Sequence, residues 1–191
     1  MRLGTPAILL MLTALLSCGA PATPAPAAPD ATGWDDLAAA VVDRLATGDL
    51  VAAAKWRTRG PIEDAAREQV VLDAAAAGAG QRGLDPERVE AVFGDQIAAS
   101  KVVQYGLFAS WTADPDASPP PADLAALRPQ LDTITARLLD DLGSTAADRG
   151  APTCDRAWHD AADRAARGAR LDALHRMALD RAGRSLCGTG S

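Results

Sequence analysis

PERVEAVFGDQIAASKVVQYGLFASWT, residues 86–112, places Phe93 and Ile97, then Ser100 and Gln104, then Leu107 or Phe108 and Trp111 in one register. Spacings of three and four predict a single long α-helix with one inward face. Asp85 supplies a cap and Pro86 a favourable first-turn residue. Ser100 and Gln104 interrupt the apolar stripe without shifting its phase. Burying a hydroxyl or amide unpaired costs about 1–3 kcal/mol, and a cation more, so a polar stripe on an inward face calls for something to meet it.

The flanking segments read the same way. Trp34 to about Thr47 predicts a helix with Leu37, Val41 and Leu45 on one face and Arg44 at its border, and Gly48 is expected to interrupt it. Val51 to about Arg59 forms a short helical piece carrying Lys55 and Trp56, and Gly60-Pro61 marks a break, with Pro61 in the first turn of the next helix. There Asp64, Arg67, Glu68 and Val71 share a face, and Gly78, Gly80 and Gly83 are expected to end the element. Pro-rich residues 114–122 cannot continue the preceding helix. Asp123 begins another, to about Thr145, with the stripe Leu124, Arg128, Leu131, Thr135 and Leu138. Two last helices, about Cys154 to Arg167 and Arg170 to Leu186, form a hairpin. No strand pattern competes, and the expected class is all-α, a bundle of about six helices with a disulfide-closed C-terminal hairpin.

Arg2, the apolar run Ala7 to Leu16 and the small residues after it have the layout of an export signal, too short for an ordinary membrane span. Residues 1–18 are read as that signal, 19–33 as a Pro/Ala-rich tether, and 34–191 as one helical domain. Leu15-Leu16-Ser17-Cys18 resembles a lipoprotein box, which makes Cys18 a lipidation candidate; signal removal before Thr23 is the competing reading. In an exported chain the remaining pair, Cys154 and Cys187, favours a bridge. A metal site built from them with His159 and His175 is the rival, but the spacing fits no compact zinc motif, so no metal is expected.

The formal net charge of −6 argues against nucleic acid as a partner. No nucleophile elbow, phosphate loop, metal-carboxylate pair or dinucleotide fingerprint appears, and a His-based triad is unsupported, so no cofactor is expected. What remains is electrostatic recognition. Arg44, Arg67 and Arg128 offer planar forks, Lys55 a compact point charge, and Ser100 and Gln104 neutral hydrogen-bonding groups, a set suited to a small dicarboxylate.

Taken in order, Arg44, Val51-Ala-Ala-Ala-Lys55-Trp56-Arg57, Pro61-Ile-Glu-Asp64, Arg67-Glu68, Leu84-Asp85-Pro86, Val92-Phe93, Gln96-Ile97, Ser100 and Gln104 resemble the helical, AroQ-type chorismate mutases. The exported subclass is similar in its signal segment, its Pro-rich crossing before an arginine-donating helix and its disulfide-linked C-terminal helices, places held here by Arg128, Cys154 and Cys187. The resemblance implies a cofactor-free rearrangement of chorismate to prephenate. Arg44, Arg67 and Arg128 would anchor the two carboxylates with help from Ser100. Lys55 and Gln104 would donate to the ether oxygen, and Asp64 and Glu68 would orient the ring hydroxyl and hold neighbouring cations. An isochorismate pyruvate-lyase of the same helical family, and a noncatalytic exported module binding a dicarboxylate or a partner protein, are the alternatives. Arg128 suggests a site completed within one chain, with a homodimer through another face left open.

Overall fold

The computed structural model describes residues 31–120 and 122–188, together with Met1. The expected signal, the Cys18 box and the tether as far as residue 30 lie outside the described residues. The helices are α1 (Ala31–Thr58), α2 (Ala65–Gln81), α3 (Pro86–Ala113), α4 (Leu124–Ser144), α5 (Cys154–Gly168) and α6 (Ala173–Ala182), with one 3-10 turn at Pro115–Ala117 and no strand among the described residues.

Two 28-residue helices, α1 and α3, form the frame. They run parallel: Arg44 meets Phe93, Gly48 lies beside Ser100 and Val103, and Trp56 packs on Phe108 and Trp111. Helix α4 returns antiparallel along α1, with Thr135 at Arg44 and Ser144 at Gly33. Helix α2 packs on α3, α5 on α1, and α6 on α3. The main core joins Trp34, Leu37, Val41 and Leu45 to Val89, Phe93 and Val103 of α3, Leu138 and Leu142 of α4, and Trp158 of α5. A smaller cluster of Ala52, Ala53 and Trp111, with Trp56 and Phe108 at its edge, closes the far end.

The expected break at Gly48 does not occur; α1 continues through it. A helical glycine costs about 1 kcal/mol relative to alanine. Leu45 before it and Ala52 and Ala53 after it are buried. One buried leucine contributes about 1.5–3 kcal/mol, so packing on both sides outweighs the glycine. Helix α2 likewise contains Gly78 and Gly80. Gly83 alone stops it, at φ +67°, where the Leu84 amide donates to Ala79 (3.0 Å) and the Gly83 amide to Gly80 (3.3 Å) in a Schellman closure. Pro61 lies ahead of α2 rather than in its first turn, because Asp64 takes the cap. Helix α3 opens as expected, with Asp85 accepting the Glu87 amide at 3.0 Å.

Cys154 and Cys187 are bonded, with Cα atoms 5.7 Å apart, which removes both from any metal site. Helix α6 is shorter than the expected Arg170 to Leu186. Asp172 caps it, and at Gly183 a Cβ would collide with the Trp158 indole. Gly106 of α3 is similarly constrained, since a Cβ there would lie 2.5 Å from Leu174.

His175 is more than an ordinary hairpin residue. Its ring nitrogens face Asp172 (2.8 Å) and Asp49 of α1 (3.0 Å), so both nitrogens donate when the ring is protonated. Burial disfavours the charged ring, but the two carboxylates outweigh it, and the pKa ends above 6.5. A raised folded-state pKa contributes stability fully below the unfolded value and loses it as pH rises through the folded one. The expected result is a melting temperature that falls in the wild type, relative to His175→Gln, as pH rises above about 6.5; parallel curves would contradict the clamp.

Candidate active site

Four helices and one connector converge on a cavity of about 320 Å³. All eight expected residues line it: Arg44 and Lys55 from α1, Asp64 at the α2 cap, Arg67 and Glu68 from α2, Ser100 and Gln104 from α3, and Arg128 from α4. Val51, Ile62, Val71, Ile97, Leu124 and Leu131 supply apolar wall between them. A volume near 300 Å³ with apolar walls and a few converging polar groups suits a small-molecule site.

Local sequence explains each placement. Arg44 stands one turn before Gly48, where α1 passes close to Ser100 of α3. Lys55 belongs to the last turn of α1, whose end is closed by the Gly60 amide donating to the Lys55 carbonyl (3.0 Å), with Arg59 left-handed at φ 53°. That reversal returns the connector over the helix end, and the Lys55 ammonium donates to the Ile62 carbonyl at 2.8 Å. Asp64 accepts the Arg67 amide (3.0 Å), and Glu68 accepts the Asp64 amide (3.4 Å), so both carboxylates also cap α2. Arg128 follows the Asp123 cap of α4 by little more than one turn.

Burial divides the polar lining. Arg44, Lys55 and Ser100 are half-buried and Gln104 is buried, whereas Arg67, Arg128 and Asp64 are exposed at the cavity rim. The stripe read on α3 is also offset: Val89, Val92, Phe93, Gln96, Ala99 and Val103 face the core, while Ile97 and Ser100 face the cavity. One helix thus carries two adjacent inward faces.

The electrostatics favour an anion. The lining holds five cations, Arg44, Lys55, Arg67, Lys101 and Arg128, against two carboxylates, Asp64 and Glu68. Among the described residues, the three arginines and Lys55 make no ion pair. Burial, and then the charge of Arg67, lower the Arg44 pKa to about 10. Arg44 stays protonated at neutral pH, reaching Thr135 Oγ1 at 3.4 Å and lying 5.6 Å from the Phe93 ring centroid. Burial also lowers the Lys55 pKa, partly offset by Asp64, Glu68 and Glu63. Gln104 Nε2 donates to Ser100 Oγ at 3.1 Å, and Gln104 Oε1 has no partner among the described residues. Turning the amide over exchanges donor and acceptor, and the Ser100 hydroxyl can serve either arrangement.

The sequence reading missed Thr47 and Lys101 in the lining, and Thr135 as a contact of Arg44. Thr47 shows no signal, since its hydroxyl bonds the Arg44 carbonyl within its own helix (2.6 Å). Lys101 did carry one: it and Lys55 are the only lysines in the chain.

Residues 35–105 match the family model described as chorismate mutase type II. The chain is 37% identical over 179 residues to the secreted chorismate mutase of Mycobacterium tuberculosis, covering 91% of this chain and 88% of that one. It is 35% identical over 180 residues to the secreted chorismate mutase of Mycolicibacterium smegmatis, covering 94% and 99% respectively. The crystal structure of the chorismate mutase from Burkholderia phymatum superposes with a TM-score of 0.79 at 37% identity, covering 83% of this chain and 98% of that one. With a cation-lined cavity built from α1 to α4 and this identity across nearly the whole of both chains, the protein belongs to the chorismate mutase type II family, in its secreted branch.

Proposed function

We propose that the protein is an exported chorismate mutase, converting chorismate to prephenate at the α1–α4 cavity. The observation that carries the reading is that four cations without an ion pair among the described residues, and two neutral donors, line one cavity with apolar walls. In this reaction the ether C–O bond of chorismate breaks as a C–C bond forms, with no proton transfer and no redox partner. Arg44, Arg67 and Arg128 would hold the two carboxylates, and Ser100 would help. Negative charge grows on the ether oxygen in the transition state, where the Lys55 ammonium and the Gln104 amide would donate. Lys55 has two protons left after its bond to Ile62. Asp64 and Glu68 would orient the ring hydroxyl and hold the neighbouring cations.

The energetics agree with such a site. A millionfold acceleration needs about 8 kcal/mol. Each preorganised donor is worth about 2.7–4 kcal/mol in comparable sites, and fixing the enolpyruvyl arm over the ring contributes through orientation. Loss of chorismate absorbance, with product identification, tests the reading on oxidised protein from Asp30 onward. Prephenate is expected. Salicylate with pyruvate would assign the lyase instead, and no turnover by folded protein would leave a binding module.

Gln104 donates without needing a proton of its own, so turnover is expected to vary little between pH 5 and 8. Gln104→Glu is expected to cut the rate at pH 7.5 at least tenfold and to recover activity below about pH 5, where the carboxyl becomes a donor. A wild-type rate present only below pH 5 would contradict this role.

Export is part of the same reading, since the relatives just described are named secreted. Leu15-Leu16-Ser17-Cys18 supports an acyl anchor on Cys18 as its finer form, which the mass of the mature chain decides. Arg128 lining the cavity from the same chain supports a site complete within one protomer, with any homodimer formed through another face.

A further inference from the structure

This chain carries seventeen arginines and two lysines, and both lysines line the same cavity. A guanidinium stays charged in nearly any surroundings, whereas an ammonium responds to its neighbours. What surrounds Lys55 is therefore part of its chemistry. Burial disfavours its charge, three carboxylates, Asp64, Glu68 and Glu63, favour it, and the Lys101 ammonium opposes it. Any of the carboxylates, pairing with Lys55, would occupy the donor the substrate requires.

None of them does so, and each is engaged elsewhere. Asp64 accepts the Arg67 amide at 3.0 Å. Glu63 is held from both sides, Oε2 by the Lys101 ammonium (2.8 Å) and Oε1 by the Tyr105 hydroxyl (2.9 Å). Glu68 takes Lys101 on both oxygens, at 3.2 and 3.1 Å. Lys101 and Tyr105 lie one turn apart on α3, so one face of that helix straps the connector and the start of α2.

We propose that Lys101 is a positioning residue that draws Glu63 and Glu68 onto α3 and so keeps Lys55 free to donate to the substrate. The same strap holds the connector whose Ile62 carbonyl receives Lys55, fixing where the ammonium points its remaining protons. The catalytic consequence rests on the function proposed above; the arrangement of charges around Lys55 does not.

Acylation of Lys55 by an N-hydroxysuccinimide ester, followed by mass spectrometry, reads that arrangement without turnover. In Lys101→Met, Lys55 is the only lysine left, so its peptide is unambiguous. Freed carboxylates, together with the loss of a neighbouring cation, would favour the protonated amine, and acylation is expected to slow about threefold or more, half a pKa unit being a factor of three. Lys101→Arg should restore the wild-type rate to within about twofold, because it keeps the charge. Adding Glu63→Gln to Lys101→Met should recover part of the loss. In the chorismate assay, Lys101→Met is expected to lower kcat about tenfold with KM within about threefold.

Unchanged acylation in folded Lys101→Met overturns the proposal, whatever turnover does. A loss confined to KM and indifferent to Glu63→Gln also overturns it, showing Lys101 as a direct substrate contact. Should the Met variant fail to fold, Lys101→Gln is measured in the same way. A wild type inert toward chorismate whose Lys55 acylation still depends on Lys101 would sink the functional reading and leave this one standing.

Discussion

Lys55→Ala is expected to lower kcat for chorismate about a thousandfold while the protein keeps its fold. Of the two ammonium groups in the lining, Lys101 is paired with Glu63 and Glu68, whereas Lys55 makes no ion pair among the described residues and faces the cavity with two unspent protons. Removing a preorganised donor from a developing oxyanion costs about 2.7–4 kcal/mol, a factor of 10²–10³, and here the donor also carries full charge. Stability should change little. The variant loses one hydrogen bond to the Ile62 carbonyl, worth about 1 kcal/mol, which for a domain of this size lowers the melting temperature by about 2–4 °C. The cycle of kcat, KM and melting temperature separates the roles. A large loss of kcat with near-normal melting assigns Lys55 to the transition state. Wild-type turnover would overturn the assignment of this cavity as the active site, and loss of cooperative melting would make Lys55 a strut of the connector instead.

Most of the candidate site could be read in the sequence because its residues break the local rule. Ser100, Gln104 and Arg128 stand at apolar positions of otherwise regular stripes, and such conflicts concentrate at functional sites. The helix starts at Asp85 and Asp123 were legible for the opposite reason, since a cap acts within two residues of itself. What failed was long-range. Gly48 looks like a stop when judged from its neighbours in sequence, yet packing against Ser100 and Val103, some fifty residues on, carries α1 through it. The role of Lys101 depends on Glu63, 38 positions earlier, which closes on it. His175 reads as a hairpin residue until Asp49, 126 positions away, takes its second nitrogen. Exposure of Arg67 and Arg128 was hidden too, because periodicity gives the face of a helix and not how far that face is covered.

Replacing both Cys154 and Cys187 by alanine is expected to lower stability by about 3.7 kcal/mol, the chain-entropy value for a closed loop of 34 residues. For a domain of this size that is a drop of about 10 °C in melting temperature. Alanine rather than serine is the useful replacement, because Cys154 is buried and a hydroxyl there would need a partner. The bridge joins the start of α5, which packs on α1, to the turn after α6, which packs on α3, and those two long helices carry Arg44, Lys55, Ser100 and Gln104. Loss of the bridge could therefore disturb the site. Other contacts oppose that outcome. Asp95 of α3 binds Arg181 and accepts the Ser185 amide at 2.6 Å, Gln96 donates to the Ala182 carbonyl at 3.0 Å, and the Gly188 amide donates to Arg149 at 3.2 Å. The Asp95 and Gln96 contacts hold the C-terminal segment on α3, and the Gly188 bond ties it to the α4–α5 connection, with or without sulfur, so the bridge acts chiefly by restricting the unfolded chain. The expected signature is kcat within about twofold of wild type at 25 °C, with activity vanishing at a temperature lower by the same 10 °C as the melting point. A variant that melts normally but turns over slowly would instead make the bridge part of the machinery that positions α1 against α3.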